Sequence, residues 1–264
     1  MRNLKKVSKM PAKMMPLQSR VVYGPLNSRR FGKSLGINLL PADQKVCNFD
    51  CVYCQYGESR LNRPAAFPSI DEIETCLSAY LNSVQEASPK INWITIAGNG
   101  EPTLHPEFPE VVDCLISWRD QHLPLAPIGI LSNSSTCHRP EIHAALSRLD
   151  GKFMKLDVGD IRTFREINKP SGVAQWADMI TGLYHLKKAV LQSLFFSGGR
   201  QNIDDALVDD WINAVHYIQP QSVQMYTLDR PPKEEGLRPV SRETLNRISR
   251  RLTAKTGITG EVFG

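Results

Sequence analysis

No aspartate or glutamate occurs before Asp43, and no cysteine before Cys47. No stretch approaches the ~18 consecutive apolar residues of a membrane-spanning helix, so no membrane partner is expected. The first twenty residues lack the apolar centre of a secretion signal and carry Pro11 and Pro16, which would interrupt a targeting helix. The expected location is the cytoplasm, with residues 1–20 a basic, flexible arm ahead of one domain over 21–264. Internal repeats and low-complexity segments are absent too. Six cysteines at irregular positions without such a signal argue against a disulfide framework and for free thiols or metal ligands in a reducing compartment.

The 264 residues are 41% hydrophobic and 22% charged, enough for one large core. Residues 1–42 hold nine Lys or Arg, while the rest of the chain holds 23 basic against 27 acidic residues, so the whole positive excess lies at one end. Such a stretch reads either as a solvated tail or as a guide for the phosphates of RNA.

Short β-rich runs alternate with helix-patterned segments, the pattern of βα units on a parallel sheet. The predicted strands are Leu35–Leu40, Trp93–Ala97, Ile128–Leu131, Phe153–Leu156, Leu191–Phe196 and Ser222–Thr227. Predicted helices fall at Ile70–Ala87, Glu107–Trp118, Glu141–Leu149, Gln175–Val190, Asp204–Tyr217 and Arg242–Lys255. Ser69 and Glu72 form a capping box, Pro106 suits a first helical position, and Ser241 an N-cap. Six units cannot close an eight-stranded barrel. The fold class expected is therefore α/β, a partial (β/α)6 TIM-type barrel whose working face is the loops after the strand C-termini.

Directly after the first predicted strand comes "VCNFDCVYC", with Cys47, Cys51 and Cys54 spaced CxxxCxxC and Tyr53 before the last thiol. Structural zinc wants four ligands, and the nearest histidine is the distant His105. A redox pair would use Cys51 and Cys54 and leave Cys47 without a role. Three thiolates can instead hold three irons of a 4Fe-4S cluster and leave the fourth open for chemistry.

Other strand ends carry polar groups. After "WITIA", Gly98 and Gly100 would let the backbone approach a ligand, with Asn99 between them and Glu101 and Pro102 stiffening the exit. Ser132 and Asn133 follow the third predicted strand and offer hydroxyl and amide groups. Alternation in "KFMKLDVGD" puts Phe153, Lys155 and Asp157 on one face; Lys155 and Asp157 then point inward, either toward a ligand or neutralising each other. Tyr226, Asp229 and Arg230 end the last strand, as a substrate-side group or a surface ion pair. Cys76 and Cys114 share the spacing of apolar neighbours and are expected in the core.

The cysteine triplet with its aromatic residue resembles the signature of the radical S-adenosylmethionine (SAM) superfamily, and "GNGEP" resembles that family's GGEP motif, with Asn99 in place of a glycine. The resemblance implies a 4Fe-4S cluster on Cys47, Cys51 and Cys54 whose open iron chelates the amino and carboxylate groups of SAM. One electron from an external donor such as flavodoxin or ferredoxin then yields methionine and a 5′-deoxyadenosyl radical. It further implies SAM contacts from Tyr53, Gly98, Asn99, Gly100, Glu101, Pro102, Ser132, Asn133 and Asp157, with Lys155 and Asp229 as catalytic candidates on the substrate side.

"YGPLNSRRFGKSLGINLLP", "KVCNFDCVYCQYG", "KLDVGDIRTFREINKPS" and "YTLDRPP" look like the subgroup around the wyosine-base synthase of tRNA. That implies tRNA or another RNA as partner. The synthase carries a second cluster upstream of the triplet, whereas residues 1–46 hold no cysteine here. A peptide or small-metabolite substrate, or an iron-sulfur protein without catalysis, are the alternatives.

Overall fold

Apolar, β-branched runs buried on both faces make the parallel strands of this chain, and amphipathic helices with one apolar stripe cover them. The computed structural model describes residues 15–61, 63–84, 90–171 and 175–263. Six strands, β2 (Gly32–Ile37), β3 (Trp93–Ile96), β4 (Ile128–Ser132), β5 (Gly151–Lys155), β6 (Ala189–Gly198) and β7 (Ser222–Thr227), pair in sequence order and in parallel. Each is the core of one expected unit.

Two strands extend this sheet beyond the prediction. β1 (Val22–Ser28) pairs antiparallel with β2, and β9 (Gly260–Phe263) pairs in parallel with β7. Gly24 and Pro25 inside β1 hide it from a propensity reading, as breakers belong at edge strands. A short β8 (Leu237–Pro239) pairs with the end of β6. The path ends at β1 on one side and β9 on the other, so the sheet curls without closing. The cysteine loop thus follows the second strand, which is the first parallel one.

The helices are α1 (Ile70–Ser83), α2 (Phe108–His122), α3 (Pro140–Ser147), α4 (Ile161–Ile167), α5 (Trp176–His185), α6 (Asp205–Ile218) and α7 (Arg242–Thr256). The Ser69–Glu72 capping box and the Ser241 cap form as expected. Residues 85–87, the end predicted for α1, lie outside those described. Pro106 does not open α2: Glu107 is the N-cap, and Pro109 takes an early helical position. α5 stops at His185 because the chain turns through Lys188, φ 57°, to enter β6. α4 is too short for periodicity to reveal.

Strand register assigns the faces. Leu35, Ile94, Ile128, Met154, Leu191 and Val223 point at the helices and are fully buried. The opposite face fills the barrel: Phe31, Trp93 and Phe153 meet edge to face or tilted at its base, and Ser34 and Thr95 share a hydrogen bond of 2.6 Å above them. Lys155 and Tyr226 continue this face toward the strand C-termini. Cys76 and Cys114 are not core residues as expected. Both are half-buried, because Ile73 and Leu77 on α1 and Val111, Val112 and Leu115 on α2 take the inward positions.

Candidate functional site

The cysteine loop is pinned on both flanks by backbone. On one side Val46 N donates to Asn99 O at 2.9 Å and Glu101 N to Val46 O at 2.9 Å, a single parallel bridge. On the other, Phe49 bridges Pro170, Asp50 N donates to Asn168 O (3.1 Å) and Val52 N to Ile167 O (2.9 Å). The glycines serve the chain's own packing here. A Cβ on Gly100, whose φ is 143°, would lie 1.9 Å from Val46 O, and one on Gly98 would lie 2.0 Å from Asn38 Oδ1. Both glycines admit the chain's own loop.

Cys47 is buried, Cys51 and Cys54 are half-buried, and all three are free thiols. Cys47 Sγ accepts from Phe49 N (3.4 Å) and Asn133 Nδ2 (3.6 Å), and Cys51 Sγ from Asn168 Nδ2 (3.5 Å). Lys45 is 4% exposed; its Nζ donates to Gly57 O at 2.9 Å and stands 3.8 Å from Asp50 Oδ1. Burial pulls this ammonium down, but the proximity of Cys54, Cys47 and Cys51 outweighs it and raises the pKa. Burial pushes the Cys47 thiol up to about 12, and burial with the Asp157 charge lifts Cys51 to about 11. All three thiols thus act electrostatically on one buried ammonium. Among the described residues, no three His, Cys, Asp or Glu side chains are gathered to hold a single metal ion.

Two buried carboxylates organise the strand ends. Glu101 accepts from Thr103 N (3.1 Å), Thr103 Oγ1 (2.6 Å), Ser132 Oγ (2.9 Å) and Asn133 N (2.5 Å), joining the ends of β3 and β4. Burial lifts its pKa although these bonds pull it down. Asp157 pairs with Lys155 Nζ at 2.7 Å and accepts from Leu194 N (2.9 Å), Asn168 Nδ2 (3.0 Å) and the Tyr53 hydroxyl. Lys155 also donates to the Tyr226 hydroxyl at 2.9 Å and lies 5.0 Å from the centre of the Tyr53 ring.

The structure thus gathers Tyr53, Gly98, Gly100, Glu101, Pro102, Ser132, Asn133, Lys155 and Asp157 around the cysteines. Several of them also bind the chain itself. Both oxygens of Asp157 and both of Glu101 are engaged by the chain itself. The Asn99 amide is fully buried and grips Gln18 and Pro41 carbonyls at 2.9 and 2.8 Å. Asp229 stands at the rim in an exposed pair with Arg29, 2.9 Å away. The last residues of the expected arm have contacts of their own. Met15 N donates to Gln55 O at 2.9 Å and Gln18 N to Asn99 Oδ1 at 2.7 Å, laying residues 15–20 against the site, while residues 1–14 lie outside those described.

Lys45, Asn48 and Asn168 were not anticipated. Asn48 Oδ1 accepts from Asn133 Nδ2 at 2.8 Å. A lysine two residues before the first cysteine was the available signal; Asn168 sits 117 positions from its sulfur and had none.

The chain matches no protein-family model. It is 29% identical to the GTPase Obg of Brachyspira hyodysenteriae over 252 residues, 93% of this chain but only 35% of that protein. It is 29% identical to a UPF0026 protein of Helicobacter pylori over 222 residues, 80% of this chain and 67% of that protein. In this chain Gly32, Lys33 and Ser34 lie in β2, with Asn27 where a phosphate-binding P-loop would have its first glycine. Among solved structures, a radical SAM methyltransferase from Sphaerobacter thermophilus superposes with a TM-score of 0.64 at 15% identity, covering 87% of this chain and 65% of that one. TYW1 with a lysine-pyruvate adduct gives 0.62 at 13%, covering 84% and 74%. Streptococcus suis SuiB bound to S-adenosylmethionine gives 0.57 at 12%, covering 88% and 47%. The likeness is one of fold: the open parallel barrel is the one these proteins use.

Proposed function

We propose that the chain is a radical SAM enzyme whose Cys47, Cys51 and Cys54 hold a 4Fe-4S cluster. The observation that carries this reading is the delivery of three unbridged thiols by one pinned loop at the C-terminal end of the first parallel strand of such a barrel. The donor set suits the group. A single tetrahedral metal would draw its sulfurs to within about 4 Å of one another, given bonds of ~2.3 Å. Among the described residues no three His, Cys, Asp or Glu side chains are gathered for one ion, whereas Cys47 and Cys51 each have a separate amide donor, which suits ligands that each take a different iron. When bound, the cluster supplies the electron that cleaves SAM reductively.

The protein's own part is support and charge. Glu101 acts through Ser132 and Asn133 as a positioning residue, setting the amide that faces Cys47. Asp157 does the same for Tyr53 and Asn168 on the other side. The Gly98–Pro102 segment and Asn133 border the place where the methionine end of SAM would sit. Lys155, between Tyr53 and Tyr226, faces the barrel interior where a substrate would enter. An external flavodoxin or ferredoxin would deliver the electron.

For substrate, the motifs shared with the wyosine-base subgroup and the basic N-terminal stretch favour tRNA or another RNA, with SAM as the second partner. The test is anaerobic reconstitution followed by dithionite and SAM. About four irons per chain and release of 5′-deoxyadenosine are expected. Iron unchanged when all three cysteines become alanine would sink the cluster assignment, and a loaded protein that leaves SAM intact would sink the enzyme.

A further inference from the structure

The open sheet leaves a gap between its two ends, and the gap is lined with guanidinium. The turn between β1 and β2 reaches across to the end of β7 and encloses with it a cavity of about 420 Å³. Arg29 and Arg30 come from the turn, Arg230 and Asp229 from beyond β7, and Gln55, the residue after Cys54, closes the cysteine side. Three guanidiniums thus face one carboxylate.

Arg30 is the telling member. Its guanidinium lies 4.7 Å from the ring centre of Tyr226 and 5.8 Å from that of Phe31, which fixes its plane. Its Nη1 is buried, yet it has no hydrogen-bond partner among the described residues. Arg30 as a whole is half-buried, but a buried N–H donor is costly to leave unmatched, and native structures rarely do so without a ligand or water in its place. Asp229 cannot match it, being paired with Arg29 on the exposed rim. Tyr226, against which Arg30 stacks, is hydrogen-bonded to Lys155, so the cavity abuts the polar chain that runs through Asp157 to Tyr53.

We propose that this gap is an oxyanion site, with Arg30 the fixed fork that receives a phosphate or carboxylate and Arg29 and Arg230 the adjustable charges at its rim. Guanidinium suits both ligands through paired N–H donors. That the oxyanion belongs to the substrate rests on the radical SAM reading; that it binds does not.

The experiment is calorimetric titration of the reconstituted full-length protein at low ionic strength, with inorganic phosphate and pyrophosphate in one arm and acetate and succinate in the other. Binding of at least one class is expected, weakened tenfold or more in Arg30→Gln, partly recovered in Arg30→Lys, and unaltered in Arg250→Gln, an equal charge change on the exposed side of α7. Preference for the first arm identifies a phosphate, for the second a carboxylate. Asp229→Asn guards against a trivial loss of fold, since removing the competing carboxylate should tighten binding severalfold. Failure of all four anions to bind, or equal binding by wild type and Arg30→Gln, overturns the site. Because no SAM cleavage enters this measurement, its outcome is separable from that of the 5′-deoxyadenosine assay.

Discussion

The hydroxyl of Tyr53 donates to the carboxylate of Asp157, tying the residue before the last cysteine to the end of β5. The same carboxylate neutralises Lys155, whose side chain is 18% exposed. Asp157→Asn therefore strands a largely buried ammonium. Urea unfolding should show a loss of about 3 kcal/mol, against about 1.5 kcal/mol for Tyr53→Phe. The double variant should lose less than the sum, because the two share one acceptor.

Glu101 gives a pH signature. Burial raises its folded pKa above the ordinary value of 4.5, so the folded state holds that proton more tightly than the unfolded chain. Its contribution to stability is full below 4.5 and declines as pH climbs through the raised value. Subtracting the Glu101→Gln profile from that of wild type, by urea midpoints between pH 4 and 7, should isolate this decline. A difference that rises with pH would contradict it.

Lys45 should set the electron affinity of whatever the three sulfurs hold. A fixed positive charge at close range favours the reduced state, so Lys45→Met should move the midpoint potential of the reconstituted cluster to more negative values, on the order of 50 mV. A redox titration followed by electron paramagnetic resonance reads this. An unmoved potential would leave Lys45 as a brace for Gly57 alone.

Gly100→Ala tests the clamp. The added methyl would collide with Val46 O, and φ of 143° disfavours any side chain. Iron retention after desalting should fall severalfold, while circular dichroism keeps the helical signal of α1–α7. Full retention would show that the bridge does not place the cysteines.

The parallel strands were legible because Leu35, Ile94, Ile128, Leu191 and Val223 sit in short apolar runs, and burial on both faces writes that run directly into composition. Lys155 and Asp157 were legible as an inward pair because alternation is geometric. What stayed hidden depends on distance along the chain. Asn168 reaches Cys51 only because α4 turns the chain back, and α4 is a single short helix between polar loops. Gly98 and Gly100 showed that a close approach occurs, but not that the approaching object is Val46 and Asn38. Arg30 looked like one more basic residue until the curl of the sheet laid it on Tyr226.

The two backbone bridges that flank the cysteines have a consequence for the life of the protein under oxygen. In a zinc finger the metal organises the chain, and its removal unfolds the domain. Here the loop is fastened to Gly100 and Pro170 by peptide groups that do not involve sulfur. These peptide bonds fix where the loop enters and leaves without drawing on the thiols. If the proposed cluster is lost to oxygen, these bridges should keep the fold, so that circular dichroism of the iron-free protein matches that of the reconstituted one.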